Sequence, residues 1–187
     1  MRTLFLAATA AIALLAGGLP AQASLIGQGF NVSYRFADLS TVYANATATP
    51  ADFVVGAGVD SVIDVENVTD LIVDVAAASL SIVFDTVLSS PTWNPASFNG
   101  LRFIGTAPHG IAGASVDGAS TLAGFDASRV TLTGDEIRLD WNSLSYADGT
   151  QLVINFTFAA VPEPASLALL GAGLLGLAGT RRRRAAA

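Results

Sequence analysis

Between Asn31 and Phe158 apolar residues recur at every second position in a series of short runs, the pattern of strands with one face in a core. Val32, Tyr34 and Phe36 alternate with Asn31, Ser33 and Arg35. Val59, Ile63 and Val65 are expected on one face, with Asp60, Asp64 and then Glu66 on the other. Asn67 offers a turn, after which Leu71, Val73 and Val75 repeat the alternation against Asp70 and Asp74. Leu80, Ile82 and Phe84 follow, and three such runs in close succession predict a meander. Arg129–Thr133 and Glu136–Trp141, parted by Gly134-Asp135, read as a hairpin. Leu152, Ile154, Phe156 and Phe158 make the last apolar face. Thr41–Thr49, rich in Thr and Ala and closed by Pro50, reads as an edge strand. Thr86–Gly100, with Pro91, Trp93, Asn94, Pro95 and Phe98, reads as the longest irregular loop. No segment of this region sustains a 3.6-residue apolar period. About ten short strands with regular turns predict an all-β fold, an antiparallel β-sandwich or jelly-roll-like domain.

That domain is expected over residues 24–160, between two segments of different character. Lys is absent from the whole chain, and the nine basic residues are all Arg. Within 24–160 only Arg35, Arg102, Arg129 and Arg138 are basic, against fourteen Asp and Glu, a net charge of −10. Such a field repels a polyanion, so nucleic acid is not an expected partner. With no Cys, thiol chemistry and most structural zinc sites are excluded. Export is not, because a domain of this size can be held by core burial without disulfides.

Residues 1–23 read as a signal peptide. Arg2 precedes the apolar stretch Leu4–Leu15, and Gly17, Gly18 and Pro20 break the helix before the small-x-small site Ala21-Gln22-Ala23. Cleavage is expected between Ala23 and Ser24.

Residues 161–187 have three parts. Pro162-Glu163-Pro164 cannot extend a strand or a helix, because each Pro fixes φ and lacks a donor. The apolar run 165–180 follows, sixteen residues and about 24 Å as a helix against a ~30 Å hydrocarbon core, which reads as a short transmembrane helix. Its four glycines suit a segment that is discarded. Arg181, Arg182, Arg183 and Arg184 then stop transfer and hold the C-terminus inside, leaving the domain outside. This arrangement resembles the PEP-CTERM sorting signal of Gram-negative bacteria. The resemblance implies an exosortase in the membrane as processing partner, the Sec translocon as export route, transient membrane anchoring, and release or surface attachment after cleavage near Pro162-Glu163-Pro164.

The resemblance extends into the domain. DFVVGAGVD, SFNGLRF and GFDASRVTLTGDEIRLDWNSLSYADGTQLVINFTF are similar to a β domain common among PEP-CTERM exported proteins. It implies a fold and no activity.

No catalytic constellation emerges from the residues. His109, in a Pro-His-Gly turn, is the only His, and a solvated turn side chain is the favoured reading. Gly113-Ala114-Ser115-Val116-Asp117 lacks the closing Gly of a nucleophile elbow. Asp60, Asp64, Glu66, Asp70 and Asp74 offer oxygens to a hard cation such as Ca²⁺, but at alternate strand positions, where a solvated sheet face is the plainer reading. Asp135 and Glu136 are adjacent in a strand and point apart, a poor glycosidase pair. Trp93, Phe98 and Tyr146 are expected to cap the open end of the core in preference to stacking on sugars. Thr47/Thr49 and Thr131/Thr133 are two pairs without the repeat that an ice-binding face needs.

The expected protein is therefore not an enzyme and uses no cofactor or metal. It is read as an exported, exosortase-processed surface or matrix protein, structural in role and associated with exopolysaccharide. A carbohydrate- or calcium-binding module is the alternative; ice binding and hydrolysis rank below it.

Overall fold

The computed structural model describes residues 24–159; the signal peptide, with Ala21 and Ala23, and the tail from Pro162 to Arg184 lie outside them. Eleven strands run in chain order: β1 Gly29–Ala37, β2 Ala46–Thr49, β3 Asp52–Val54, β4 Ser61–Val65, β5 Thr69–Val75, β6 Ser79–Thr86, β7 Phe98–Gly105, β8 Ile111–Val116, β9 Val130–Leu132, β10 Glu136–Asp140 and β11 Thr150–Phe158. Among the described residues the only helical turn is a 3₁₀ turn at Ala127–Arg129, capped by the Asp126 carboxylate.

The strands form two antiparallel sheets, ordered β3-β1-β7-β10-β9 and β2-β4-β5-β6-β11-β8. Their inner faces make one core. In β5, Thr69, Leu71, Val73 and Val75 are buried, while Asp70, Ile72 and Asp74 face outward. Leu152, Ile154 and Phe156 of β11 and Ile137 and Leu139 of β10 are buried in the same core. Each such side chain contributes roughly 1.5–3 kcal/mol by leaving water, so the alternation itself drives the fold. The expected meander is β4-β5-β6, the expected hairpin is β9-β10, and β2 is an edge strand followed by Pro50.

Three details differ from the sequence reading. Val59 lies outside β4 and is 58 % exposed, and Ser61 takes the first inward position. The cause is Asp60, whose carboxylate accepts from the amides of Gly56 and Val75 and turns the chain before the strand begins. Of the expected strand Thr41–Thr49 only the last part, β2, pairs with β4. Finally, β7 starts at Phe98 and not at Leu101, so the irregular loop ends at Ser97. Gly100 permits this early start, since a Cβ there would lie 1.9 Å from the Leu139 carbonyl oxygen of β10.

The aromatic centre sits toward one end of the sandwich. Trp141, fully buried just after β10, donates from Nε1 to the Tyr34 hydroxyl at 3.1 Å. That hydroxyl donates to Asn99 Oδ1 at 2.5 Å, which ties β1, β7 and the end of β10 together. Phe84 of β6 meets Trp141 edge-on at 5.4 Å and joins the two sheets.

Candidate functional site at the aromatic end

The loop between β6 and β7 is ordered by its partners. The Trp93 amide donates to Leu144 O at 2.9 Å, the Tyr146 amide to Pro91 O at 3.0 Å, and the Ala96 amide to Asn142 Oδ1 at 2.9 Å. Thr92 and Ser145 share a hydroxyl–hydroxyl bond of 2.6 Å. So held, Trp93 stacks on Tyr146 with centroids 4.6 Å apart and planes 12° apart, and it packs beside Tyr34, Trp141 and Phe84. Trp93 is 8 % exposed and Tyr146 7 %. Both cap the core as the sequence suggested, and their covered rings leave no open platform for a sugar. Phe98, buried as well, is the first residue of β7 and not part of a loop.

Beside this cap lies a cleft of about 100 Å³ whose lining includes Tyr34, Phe36, Tyr43, Trp93, Tyr146 and Glu66. Tyr34 and Phe36 come from β1, and Glu66 from the β4–β5 turn. Phe36 meets Tyr43 edge-on at 5.4 Å, and Tyr43 lies 6.0 Å from Tyr34. The Tyr43 hydroxyl donates to Glu66 Oε1. That bond, with some help from burial, raises the Tyr43 pKa above its ordinary value. Burial pushes Tyr34 up further. The Trp93 indole N–H is buried without a hydrogen-bond partner among the described residues. Glu66 and Asn67 are both left-handed, with φ of 60° and 56°. Left-handed positions of this kind favour Asn and Gly, and a Glu in one costs on the order of 1–2 kcal/mol.

The candidate residues from the sequence scatter. His109 is not a solvated turn residue: it is 1 % exposed. Its Nδ1 accepts from the Ile111 amide at 3.0 Å, and its Nε2 lies 3.3 Å from the Glu136 carbonyl oxygen. This assigns the neutral tautomer protonated at Nε2 and makes the ring a backbone clasp between the β7–β8 connection and β10. Of the five acids considered for calcium, Asp64 and Asp70 are cross-strand neighbours, Asp60 is spent on backbone amides, and Glu66 sits at the cleft. Among the described residues no three His, Asp or Glu side chains converge as metal ligands. Asp135 is exposed in the β9–β10 turn, whereas Glu136 is buried and pairs with Arg102 and Arg138. The two therefore serve no common substrate.

Asp64, Asp70 and Asp85 stand directly opposite one another across β4, β5 and β6. Like charges in that register destabilise a sheet. Burial, followed by the charges of Asp64 and Asp85, raises the Asp70 carboxyl above its ordinary pKa. The cost is present above the folded-state pKa and is relieved as pH falls through it. Asp70→Asn is accordingly expected to raise the midpoint of urea unfolding at pH 7, with the gain shrinking toward pH 4. An equal gain at both pH values would show that charge is not the cause.

Both ends of the described chain emerge at the pole opposite the cleft. The Leu25 amide donates to Ala77 O at 2.9 Å, Phe156 to Ala78 O at 2.8 Å and Ala159 to Gly110 O at 3.0 Å. No curated protein matches the chain, and no solved structure does. A family model, the PEP-CTERM protein-sorting motif, matches residues 160–184, beginning at the residue after Ala159. The motif marks an exported protein handled by an exosortase in the membrane and delivered to the surface or the medium. An all-β domain whose last strand runs directly into this signal is thus a PEP-CTERM sorting domain-containing protein.

Proposed function

We propose that the chain is a structural protein of the cell surface or extracellular matrix, exported through the Sec translocon, freed by cleavage near Glu163, and retained among exopolysaccharide without catalysing a reaction. The observation that supports this reading best is the position of the sorting motif. It begins at residue 160, directly after the Ala159 amide closes the pairing of β11 with the β8 side. Cutting beyond that point removes the apolar run and the arginines and leaves every strand intact. The acidic domain and the scatter of its titratable side chains also fit a non-catalytic role.

Intact mass of the protein from its native host tests the processing. The expected species begins at Ser24 and ends near Glu163. A surface species that still carries Arg181–Arg184 would reduce the tail to a permanent anchor. Glu163→Ala, with Pro162 and Pro164 changed likewise, is expected to hold the chain in the membrane fraction at uncut mass. Unchanged release from that variant would show that the Pro-Glu-Pro turn does not direct cleavage. The matrix role predicts that the released domain sediments with exopolysaccharide and leaves that fraction in a strain lacking the polymer.

A further inference from the structure

We propose that a second cleft, between the β9–β10 hairpin and the start of β7, binds a carboxylate-bearing sugar, a hexuronate unit within an otherwise neutral glycan, with Arg129 taking the carboxylate and Arg138, Thr131 and Asp140 the ring hydroxyls. That the sugar belongs to exopolysaccharide rests on the matrix role proposed above; the binding itself does not. The cleft has a volume of about 530 Å³, within the roughly 300–1,000 Å³ of small-ligand sites. Its polar lining is assembled from separate parts of the chain: Ser97 before β7, Arg129 in the 3₁₀ turn, Thr131 of β9, and Arg138 and Asp140 of β10. Thr131 and Arg138 are cross-strand neighbours, and the alternation of β10 buries Ile137 and Leu139 while Arg138 and Asp140 face outward.

The geometry of Arg129 carries the inference. Its Nη1 donates to the backbone oxygens of Asp140 and Asn142, both at 3.1 Å, which fixes the guanidinium. The other edge, Nε and Nη2, has no partner among the described residues, whose ion pairs are Arg102 and Arg138 with Glu136. Those two nitrogens form the fork that takes both oxygens of a carboxylate. They are reachable: the buried side-chain nitrogens and oxygens without a partner are Gln28 Oε1, Trp93 Nε1 and Arg102 Nε. Beside the fork, Arg138 keeps Nη1 after its bonds to Glu136, and the Thr131 side chain is exposed. Asp140 Oδ1 accepts from the amides of Asn99 and Asn142, which leaves Oδ2 as an acceptor.

This set selects among anions. The Asp140 carboxylate repels a second negative charge, so a phosphate or a dense polyanion fits poorly, whereas a ring hydroxyl can donate to it. A peptide C-terminus would lean on apolar side chains, and Phe98, at the cleft floor, is 8 % exposed. The net charge of −10 over residues 24–160 does not exclude a lone carboxylate here, because all four arginines of that span lie on β1, β7, β10 or the turn leading into β9, in one sheet. Asp64, Asp70, Asp74 and Asp85 belong to the other sheet.

The full chain in non-ionic detergent is titrated at pH 7 with the methyl glycosides of glucuronate and galacturonate, with methyl glucoside and methyl galactoside as their neutral counterparts, and with acetate, by ligand-observed NMR. At least one uronoside is expected to bind saturably, about tenfold or more tighter than its neutral counterpart and than acetate. Arg129→Gln should remove that preference, and Arg129→Lys, which keeps the charge and loses the fork, should weaken it. Thr131→Val, at an exposed side chain, should melt with the native chain and bind about threefold more weakly, which separates a loss of binding from a loss of fold. The proposal is overturned if the uronosides bind no better than the neutral sugars, if acetate binds as tightly, or if Arg129→Gln and Thr131→Val both bind as the native chain does. Sedimentation with the native polymer separates the two readings. A chain that binds the uronoside yet stays out of the polymer fraction upholds the site and sinks the matrix role. An Arg129→Gln chain that sediments as the native one does upholds the matrix role and overturns the site as its polymer contact.

Discussion

Trp141→Ala is expected to cost about 3–5 kcal/mol, much of the 5–15 kcal/mol that holds a typical domain folded. The residue is fully buried, and its ring contacts Phe84 of the opposite sheet as well as Tyr34 and Trp93. The truncation leaves a cavity that few neighbours can fill, because Tyr34 is fixed by its bond to Asn99 and Trp93 by its stack on Tyr146. It also removes the indole N–H from the Tyr34 hydroxyl. Trp141→Phe separates the two losses. It keeps most of the apolar volume and loses the hydrogen bond, so about 1–2 kcal/mol is expected. Urea unfolding at pH 7 gives both values. A Trp141→Ala loss under about 1.5 kcal/mol would mean that the core closes over the gap and that the two sheets are not locked through this ring.

The parts of this fold that were legible in the sequence rest on local period. Alternation in β5, β6 and β11 identifies the inward residues without knowledge of partners, and the tail is a linear signal read residue by residue. What escaped depends on residues far along the chain. Pro108 and Gly110 mark a break between strands at His109, yet the burial of that ring follows from the Glu136 carbonyl 27 residues later. The start of β7 at Phe98 is hidden behind Pro91, Asn94 and Pro95, and Gly100 acquires its meaning from the Leu139 backbone. Val59 was misplaced because a single carboxylate, Asp60, shifts the phase of the strand that follows. The loop aromatics were correctly expected to cap the core. The cleft beside them was not visible, because Tyr34, Phe36, Tyr43, Glu66 and Trp93 come from three separate regions of the chain. One local sign was available: a Glu beside Asn67 at a left-handed turn position is an unusual choice.

Glu136→Gln is expected to cost about 1–3 kcal/mol and to change the acid limb of the stability curve. Arg102 and Arg138 stand opposite each other on β7 and β10, a register that would repel without an intervening anion. Glu136 supplies it, with Oε1 taken by Arg102 and Oε2 by both Nη2 and Nε of Arg138, the latter at 2.7 Å. The arginine side chains keep 24 % and 26 % of their exposure, so the loss falls below the roughly 3–5 kcal/mol of a fully buried pair. The hydrogen bond from Arg102 first, and that from Arg138 after it, hold the Glu136 carboxyl below the usual range against the opposing effect of burial. A depressed folded-state pKa contributes stability that is complete above the unfolded value of about 4.3 and is lost as pH falls through the folded one. Gln cannot titrate, so the native chain and the variant should differ most at pH 7 and converge below pH 4. Asp70 acts in the opposite sense over the neighbouring range, because its raised pKa makes protonation favour the folded state. An Asp70→Asn background therefore removes the gain on mild acidification and isolates the Glu136 loss. Parallel stability curves for native and Glu136→Gln chains from pH 7 to pH 3 would show that Glu136 acts by packing and not as the anion between two arginines.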